Sequence, residues 1–463
     1  MKKPFYVLVT ALLLTGALTS CDKKLFIDPV NNVNADKALQ TSSDVEAALV
    51  ACYAGLQNVG SYGGYIQLTS DLLADDGEAK FVGTFFDPGQ INRKAILKDN
   101  GFVATVWINA YNVINRANNV LANVDKFDSQ NKRTRAEGEM KFIRAAMYFE
   151  LVRLYAKDWS DGTPTANPGV PLLLLPTKAL DPSNQVKRNT VAEVYAQVLL
   201  DLTEAEMKMT GVPALPFLTG LASNSEINAS VAAGMLSRVY LQQARFPEAA
   251  AAANRATTGY VAAPALTVGF ANEFKTTLTN EDLFAIQITA QSGSNGLFTF
   301  YTGRGDISIT DNHANLYAPT DGRRLFAAAS ATKRLSTKYN NPQGYGYIKV
   351  MRLAEMLLTR AEANFRAGTM VGATPLADIN AVRSRAGVAP LATLTLPAIL
   401  LERKLELAFE GFRLGDLKRN KESATEPLPP NAVLPWNSSR LTFPIPKRET
   451  DVNPNLAQNE GYQ

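Results

Sequence analysis

Glu402, Glu406 and Glu410 recur at four-residue intervals in this 463-residue sequence, which puts three carboxylates on one face of a helix. Paired carboxylates can cleave glycosidic bonds, and neighbours on a helix face stand near the separation of a retaining pair. The direction of the side chains argues against that chemistry. Catalytic carboxylates flank a bond from opposite sides, whereas these three point the same way from one rod. Like charges four residues apart repel, so the stripe reads better as part of a structural ion-pair network. Its partners are Arg403, Arg413 and Asp416 of the same segment and Arg352, Glu355, Arg383 and Arg385 of neighbouring ones. A solvated face is the alternative, disfavoured because Leu405, Phe409 and Phe412 crowd the segment.

Other catalytic signatures are missing from the sequence. It has no HExxH, no Gly-x-Ser-x-Gly elbow, no phosphate loop ending in Gly-Lys-Ser/Thr and no pair of Cys-x-x-Cys, so no catalytic residue is assigned. Asp71, Asp75, Asp76 and Glu78 surround Gly77 with oxygen ligands suited to calcium, but they miss EF-hand spacing and read as a turn with solvated acids. The single histidine, His313, has no second histidine for a zinc site or a nucleophile relay. Cys52 falls on the stripe Val45, Ala48, Leu49, Cys52, Leu56 and reads as a small buried hydrophobe. No metal and no cofactor is expected.

Binding chemistry is better represented. Three glycine-rich stretches carry aromatics: Tyr62, Tyr65, Phe81, Phe85 and Phe86 in the first, Phe298, Phe300, Tyr301 and Tyr317 in the second, and Tyr345 and Tyr347 in the third. Flat rings pack on the apolar face of a sugar, and Asn92, Arg304, Asp306 and Asn312 stand beside them to bond its hydroxyls. The opposing reading has most of these rings filling small cores under their own loops.

The chain's address lies at its start. Lys2 and Lys3 precede an apolar run from Phe5 to Leu18, and Leu18, Thr19, Ser20 and Cys21 close it as a bacterial lipoprotein signal. Residues 1–20 are expected to be removed, Cys21 to be lipidated, and 21–40 to form a polar tether. Cleavage lowers the formal charge from +4 by two, close to neutral. No basic patch with interleaved aromatics points to nucleic acid, and no later apolar run is long enough to span a membrane. Lipid is then the membrane anchor, and Cys52, the remaining thiol, has no partner for an internal disulfide.

The elements that must position these loops are helices. Ser43 with Glu46, Thr134 with Glu137 and Thr190 with Glu193 read as capping boxes. Stripes follow them: Trp107, Tyr111, Ile114 and Leu121; Met140, Ile143, Met147, Leu151 and Leu154; Val191, Val194, Tyr195, Val198 and Leu202. Residues 227–244 with a helix from Phe246-Pro247 to Ala256, and 352–367 with one from Pro375 to Arg385, read as tetratricopeptide-type hairpins. The expected fold is mainly α, a helical-hairpin scaffold interrupted by irregular aromatic-rich loops, with an N-terminal helical region over 41–215 and a C-terminal hairpin region over 216–463.

Longer motifs carry a resemblance over essentially the whole mature chain. They are Met140-Lys141-Phe142-Ile143-Arg144-Ala145 with Tyr148-Phe149-Glu150-Leu151, Arg352-Leu353-Ala354-Glu355-Met356-Leu357-Leu358, Ile379-Asn380-Ala381-Val382-Arg383-Ser384-Arg385, Glu402-Arg403-Lys404-Leu405-Glu406-Leu407-Ala408-Phe409-Glu410-Gly411, and Phe443-Pro444-Ile445-Pro446 with Asn453-Pro454-Asn455-Leu456. In this order they resemble the SusD/RagB family of outer-membrane nutrient-binding lipoproteins (starch-utilisation-system D-like). The resemblance implies a SusD-like α/α superhelix with four tetratricopeptide-like hairpins, no catalytic residues, and a surface-exposed lid on a SusC-like TonB-dependent transporter. It implies an oligosaccharide ligand, or a peptide in some members, and a structural role for the charged motifs. Ligand residues share no motif across the family, so none is transferred. A helical-repeat scaffold of surface complexes without a small ligand is the reading from a different class.

Overall fold

Helix Ser42–Gln57 opens the folded body with a reciprocal cap: Thr41 accepts from the Asp44 N–H, and Asp44 accepts from the Thr41 N–H. The computed structural model describes residues 38–177, 185–218, 225–259, 264–275, 277–339, 341, 343–427 and 431–462. The lipoprotein signal, Cys21 and the tether as far as residue 37 lie outside the described residues. From Thr41 onward the chain packs as one unit.

Two of the three expected caps move. The first box is Thr41–Asp44 rather than Ser43–Glu46, because Ser42 and Ser43 already lie inside the helix. Helix Gln130–Tyr155 is capped by Ser129, whose side chain accepts from the Lys132 N–H, so Thr134 is an interior residue. The third box is in place, with Thr190 and Glu193 exchanging both bonds ahead of helix Val191–Met209.

The helices stack in chain order. Ser42–Gln57 packs on Gly101–Leu121, that helix on Gln130–Tyr155, and the next contacts are with Val191–Met209 and then Ala229–Gln242. The hairpin of Ala229–Gln242 and Phe246–Thr258 follows, with Leu353–Ala367, Pro375–Arg385 and Leu396–Glu406 beyond it. The fold is a mainly α scaffold of helical hairpins. Packing continues across residue 215, since Val191–Met209 lies against Ala229–Gln242. Helix Gln130–Tyr155 is central, with Met140, Ile143, Met147, Leu151 and Leu154 all buried. Trp107 joins this core, its ring edge-on to Tyr155. Leu353, Leu357, Leu358, Ala361, Ile379, Val382 and Ile399 form a second core under the later hairpins. Among the described residues, no helix is long and apolar enough to cross a membrane.

Short antiparallel pairs fasten the irregular segments to one another. Strand Ala79–Phe81 pairs with Ile307–Ile309, joining the first aromatic stretch to the second. Strand Asp282–Ile288 pairs with Gly346–Arg352, joining the second to the third. The last strand residue, Arg352, is also the N-cap position of helix Leu353–Ala367, so sheet and scaffold meet at one side chain.

That side chain is the hub of a buried ion-pair network. Arg352 donates to Glu281 at 2.6 Å, Glu406 at 3.1 Å and both oxygens of Glu410 at 2.8 Å. Arg385 bridges Glu281 and Glu406, Lys338 reaches Glu410, and Arg323 with Arg383 holds Glu402. Burial alone would raise the Glu406 carboxyl, yet Arg385, Arg352 and Arg323 hold it down at about 2. Asp416 belongs to a second cluster with Arg403 and Arg419, the latter also pairing with Glu362. Two assigned members stand apart: Glu355 pairs with Arg238, and Arg413 with Glu422. Glu281, Asp321, Arg323 and Glu362 complete these clusters from positions with no stripe or repeat to mark them in the sequence.

Asp71 makes no ion pair among the described residues. Its carboxylate accepts the Gly411 N–H at 2.9 Å, and burial raises it to about 7 against the pull of that bond, Arg153 and Lys338, with Glu410 adding to the rise. The native state therefore holds a proton that the unfolded chain releases near pH 4, and stability falls as pH rises from about 4 to 7. The slope is at most about 1.4 kcal/mol per pH unit. Asp71→Asn keeps the acceptor and removes the titration. Melting curves of the two proteins are expected to diverge across that window, the variant being the more stable at pH 8; parallel curves would refute the assignment.

Candidate ligand-binding site

The three aromatic stretches meet on one surface. The Gly296 N–H donates to the Gly63 carbonyl at 2.9 Å, bringing the second aromatic loop onto the first, and the Asn295 N–H reaches the Gly344 carbonyl of the third. Gly64 sits at φ 138°, where a Cβ would stand 2.8 Å from the Gly296 Cα, so this close approach requires glycine. Residues 82–86 join through the Val82 N–H, which donates to the Asp306 carbonyl at 2.7 Å.

An aromatic patch covers the junction. Tyr65 stacks on Phe102 with ring centroids 4.1 Å apart, and Phe300 stands edge-on to both. Phe85 packs on Phe300 at 6.2 Å while remaining 44% exposed, and Phe86 beside it is 64% exposed. The Arg304 guanidinium lies 4.0 Å from the Phe85 centroid and donates to Asp306 at 2.8 Å. The exposed Phe85 ring and the Arg304 guanidinium are thus held on a floor formed by Phe300, Tyr65 and Phe102, with Arg304 anchored from below by the buried Asp306 carboxylate. Phe102, which sequence reasoning missed, starts helix Gly101–Leu121 behind the Asn100 cap; its signal was an aromatic in a first turn, off the buried stripe.

The remaining candidates divide by burial. Phe298 is half-buried over Gly303 and Gly344, Tyr345 is exposed on the third loop, and Tyr347 is half-buried on its strand. Phe81 is half-buried on strand Ala79–Phe81, and Asn312 is exposed with its amide on the Gly77 carbonyl. Six expected contacts are instead structural, the first being Asp306, which is buried with its carboxylate on Arg304. Tyr62 is buried with its hydroxyl on Glu150 at 3.2 Å. Tyr301 is buried between Tyr339 and Phe409. Tyr317 is buried and donates to the Leu405 carbonyl at 3.0 Å. Phe300 is the buried floor rather than an open face. Asn92 is buried, accepting from the Phe81 N–H and donating to Asp75. The fold closes over each of these side chains, and the polar atoms of Tyr62, Tyr317 and Asn92 are bonded within the protein.

The acidic turn is similarly occupied by the protein. One Asp75 oxygen accepts both the Glu78 and Ala79 N–H groups, and Glu78 pairs with Lys404 and with His313 at 3.1 Å. Among the described residues, no group of three or more His, Cys, Asp or Glu side chains is placed to hold a metal. Cys52 is buried in helix Ser42–Gln57, and burial pushes its thiol up to about 12, far from the reactive thiolate range.

Comparison with known proteins agrees with this architecture. A model described as SusD family matches residues 310–462, and a second, described as starch-binding associating with outer membrane, matches residues 32–241. The SusD-like protein P2 of Formosa agariphila is 27% identical, with 98% of this chain and 99% of that protein covered. The starch-binding protein SusD of Bacteroides thetaiotaomicron is 33% identical over 127 residues, which cover 25% of this chain and 22% of that one. A solved SusD superfamily structure, also from Bacteroides thetaiotaomicron, matches with a TM-score of 0.79 at 24% identity, covering 91% of this chain and 100% of its own.

Proposed function

Because the chain belongs to the SusD family, we propose that it is an outer-membrane lipoprotein, anchored through Cys21 and facing outward, that captures an oligosaccharide at the Phe85–Phe86 patch and delivers it to a SusC-like TonB-dependent transporter. The observation that carries this reading is the exposed Phe85 ring on an ordered aromatic floor, with the Arg304 guanidinium against it and the exposed Phe86 next to it in the chain. Apolar side chains left in water at such a cost in burial mark a binding surface, and ring faces beside polar groups suit the two sides of a sugar. The matched model described as starch-binding at the outer membrane, and the similarity to a starch-binding protein, support the ligand class and the location. The protein works by binding, without turnover or cofactor: it raises the local concentration of nutrient at the transporter mouth.

A peptide ligand is the second reading, favoured by the make-up of the patch, whose exposed rings are both phenylalanines and carry no hydroxyl or indole N–H. Calorimetric titration of the lipoprotein in detergent with oligosaccharides and with peptides separates the two. Binding of neither, alone or with the transporter present, would leave the helical-scaffold reading in their place.

A further inference from the structure

A partly open pocket with mixed polar and apolar walls lies in the scaffold beside the first aromatic loop. Tyr62 and Ile66, on either side of the patch residue Tyr65, contribute to its wall, and Phe149 and Leu241 make it apolar on another side. Gln67 lines it on helix Tyr65–Ala74. That side chain is 5% exposed, and its Oε1 has no hydrogen-bond partner. Leaving a buried amide unpaired costs about 1–3 kcal/mol.

Three of the arginines that line the pocket keep unused donors. Arg153 bonds through Nε and Nη1, Arg238 through Nε and Nη2, and Arg403 through Nε and Nη1. One terminal nitrogen on each of these pocket-lining arginines therefore reaches no acceptor among the described residues. Their charges, by contrast, are already matched, Arg153 by Glu150, Arg238 by Glu355 and Arg403 by Asp416. The cavity offers N–H donors and an amide acceptor without a net charge to neutralise. The fourth lining arginine, Arg419, is likewise matched, by Glu362 and Asp416, so an added anion would bring an uncompensated charge into a pocket that Glu150, Glu410 and Asp416 also line.

We infer that this cavity is a second binding site, separate from the surface patch, built for one small neutral polyol of about the size of a single sugar ring. Hydroxyl oxygens accept from the free guanidinium nitrogens, a hydroxyl hydrogen is donated to Gln67 Oε1, and carbon-bound hydrogens face Ile66, Phe149 and Leu241. The inference goes beyond the capture of an oligosaccharide and stands without it.

Equilibrium binding of radiolabelled D-glucose to the full chain in detergent tests it. The expected result is saturable binding of one glucose per chain, lowered at least about tenfold in Gln67→Met, unchanged in the Phe85→Ala/Phe86→Ala double variant, and not displaced by D-glucuronate. Gln67→Glu, which can pair with the free arginine nitrogens, is expected to lower it as well, and thermal melts of both variants establish that they fold. Absence of saturable binding, or electron density in glucose-soaked crystals that shows ordered water only, overturns the proposal. So does binding that survives Gln67→Met but is lost in the double variant, which assigns the glucose to the patch. Tighter binding of glucuronate overturns the neutral character of the site.

Discussion

Replacing Arg352 by alanine is expected to destabilise the body by about 3–5 kcal/mol, the range found when one partner of a buried ion pair is removed. Arg352 is 1% exposed and is the only side chain among the described residues to touch Glu281, Glu406 and Glu410 together. Without it, Arg385, Arg323 and Lys338 still face these carboxylates, so the loss is that of a hub rather than of every cation. The damage should spread to the loops. Glu281 precedes strand Asp282–Ile288, Arg352 ends its partner strand, Glu406 ends helix Leu396–Glu406, and Glu410, expected on the same helix, lies in the turn that follows it, so the network holds an inserted sheet to the hairpins. Arg352→Lys keeps the charge but replaces a planar fork with a single point donor, and should recover only part of the loss. Denaturant midpoints for the three proteins, with hydrogen exchange along strands Asp282–Ile288 and Gly346–Arg352, check this. A change of less than about 1 kcal/mol in the alanine variant would mean that packing alone seats the loops.

The second large effect is on binding. Phe85→Ala with Phe86→Ala is expected to weaken ligand capture by about 2 kcal/mol or more, roughly thirtyfold, as truncating a central aromatic anchor does. Stability should change little, because both rings are already largely in water and the floor of Phe300, Tyr65 and Phe102 packs without them. Arg304→Ala should produce a smaller loss of the same kind, since its guanidinium covers Phe85 from one side. Titration of folded variants with the ligand found for the wild type reads both out. Unchanged affinity in the double variant would move the site elsewhere on the surface.

Much of the scaffold was legible from local signals. The buried stripes of Gln130–Tyr155 and Val191–Met209, the proline in the first turn of Phe246–Thr258 and the Thr190–Glu193 box each depend on neighbours within a turn or two. The displaced caps show the limit of that signal. Where hydroxyls and acids cluster, as in Thr41-Ser42-Ser43-Asp44, several registers satisfy the same pattern, and packing selects one.

The candidate site was legible only as a list. Composition marked the glycine-rich aromatic stretches, but ring type cannot separate Phe85, left in solvent, from Tyr301, sealed between Tyr339 and Phe409. The difference arises from chain segments hundreds of residues apart: strand Ala79–Phe81 pairing with Ile307–Ile309, and Gly63 meeting Gly296.

By itself, then, the sequence determined the helical class, the hairpins, the family resemblance and the structural character of the glutamate stripe, because periodicity and capping are short-range physics. Tertiary structure alone decided which aromatics remain open, which carboxylates share Arg352, and that the unpaired Gln67 Oε1 belongs to a pocket also lined by Arg153, Arg238 and Arg403. Exposure, ion pairing and polar satisfaction belong to atoms brought together across the fold, and no local pattern encodes them.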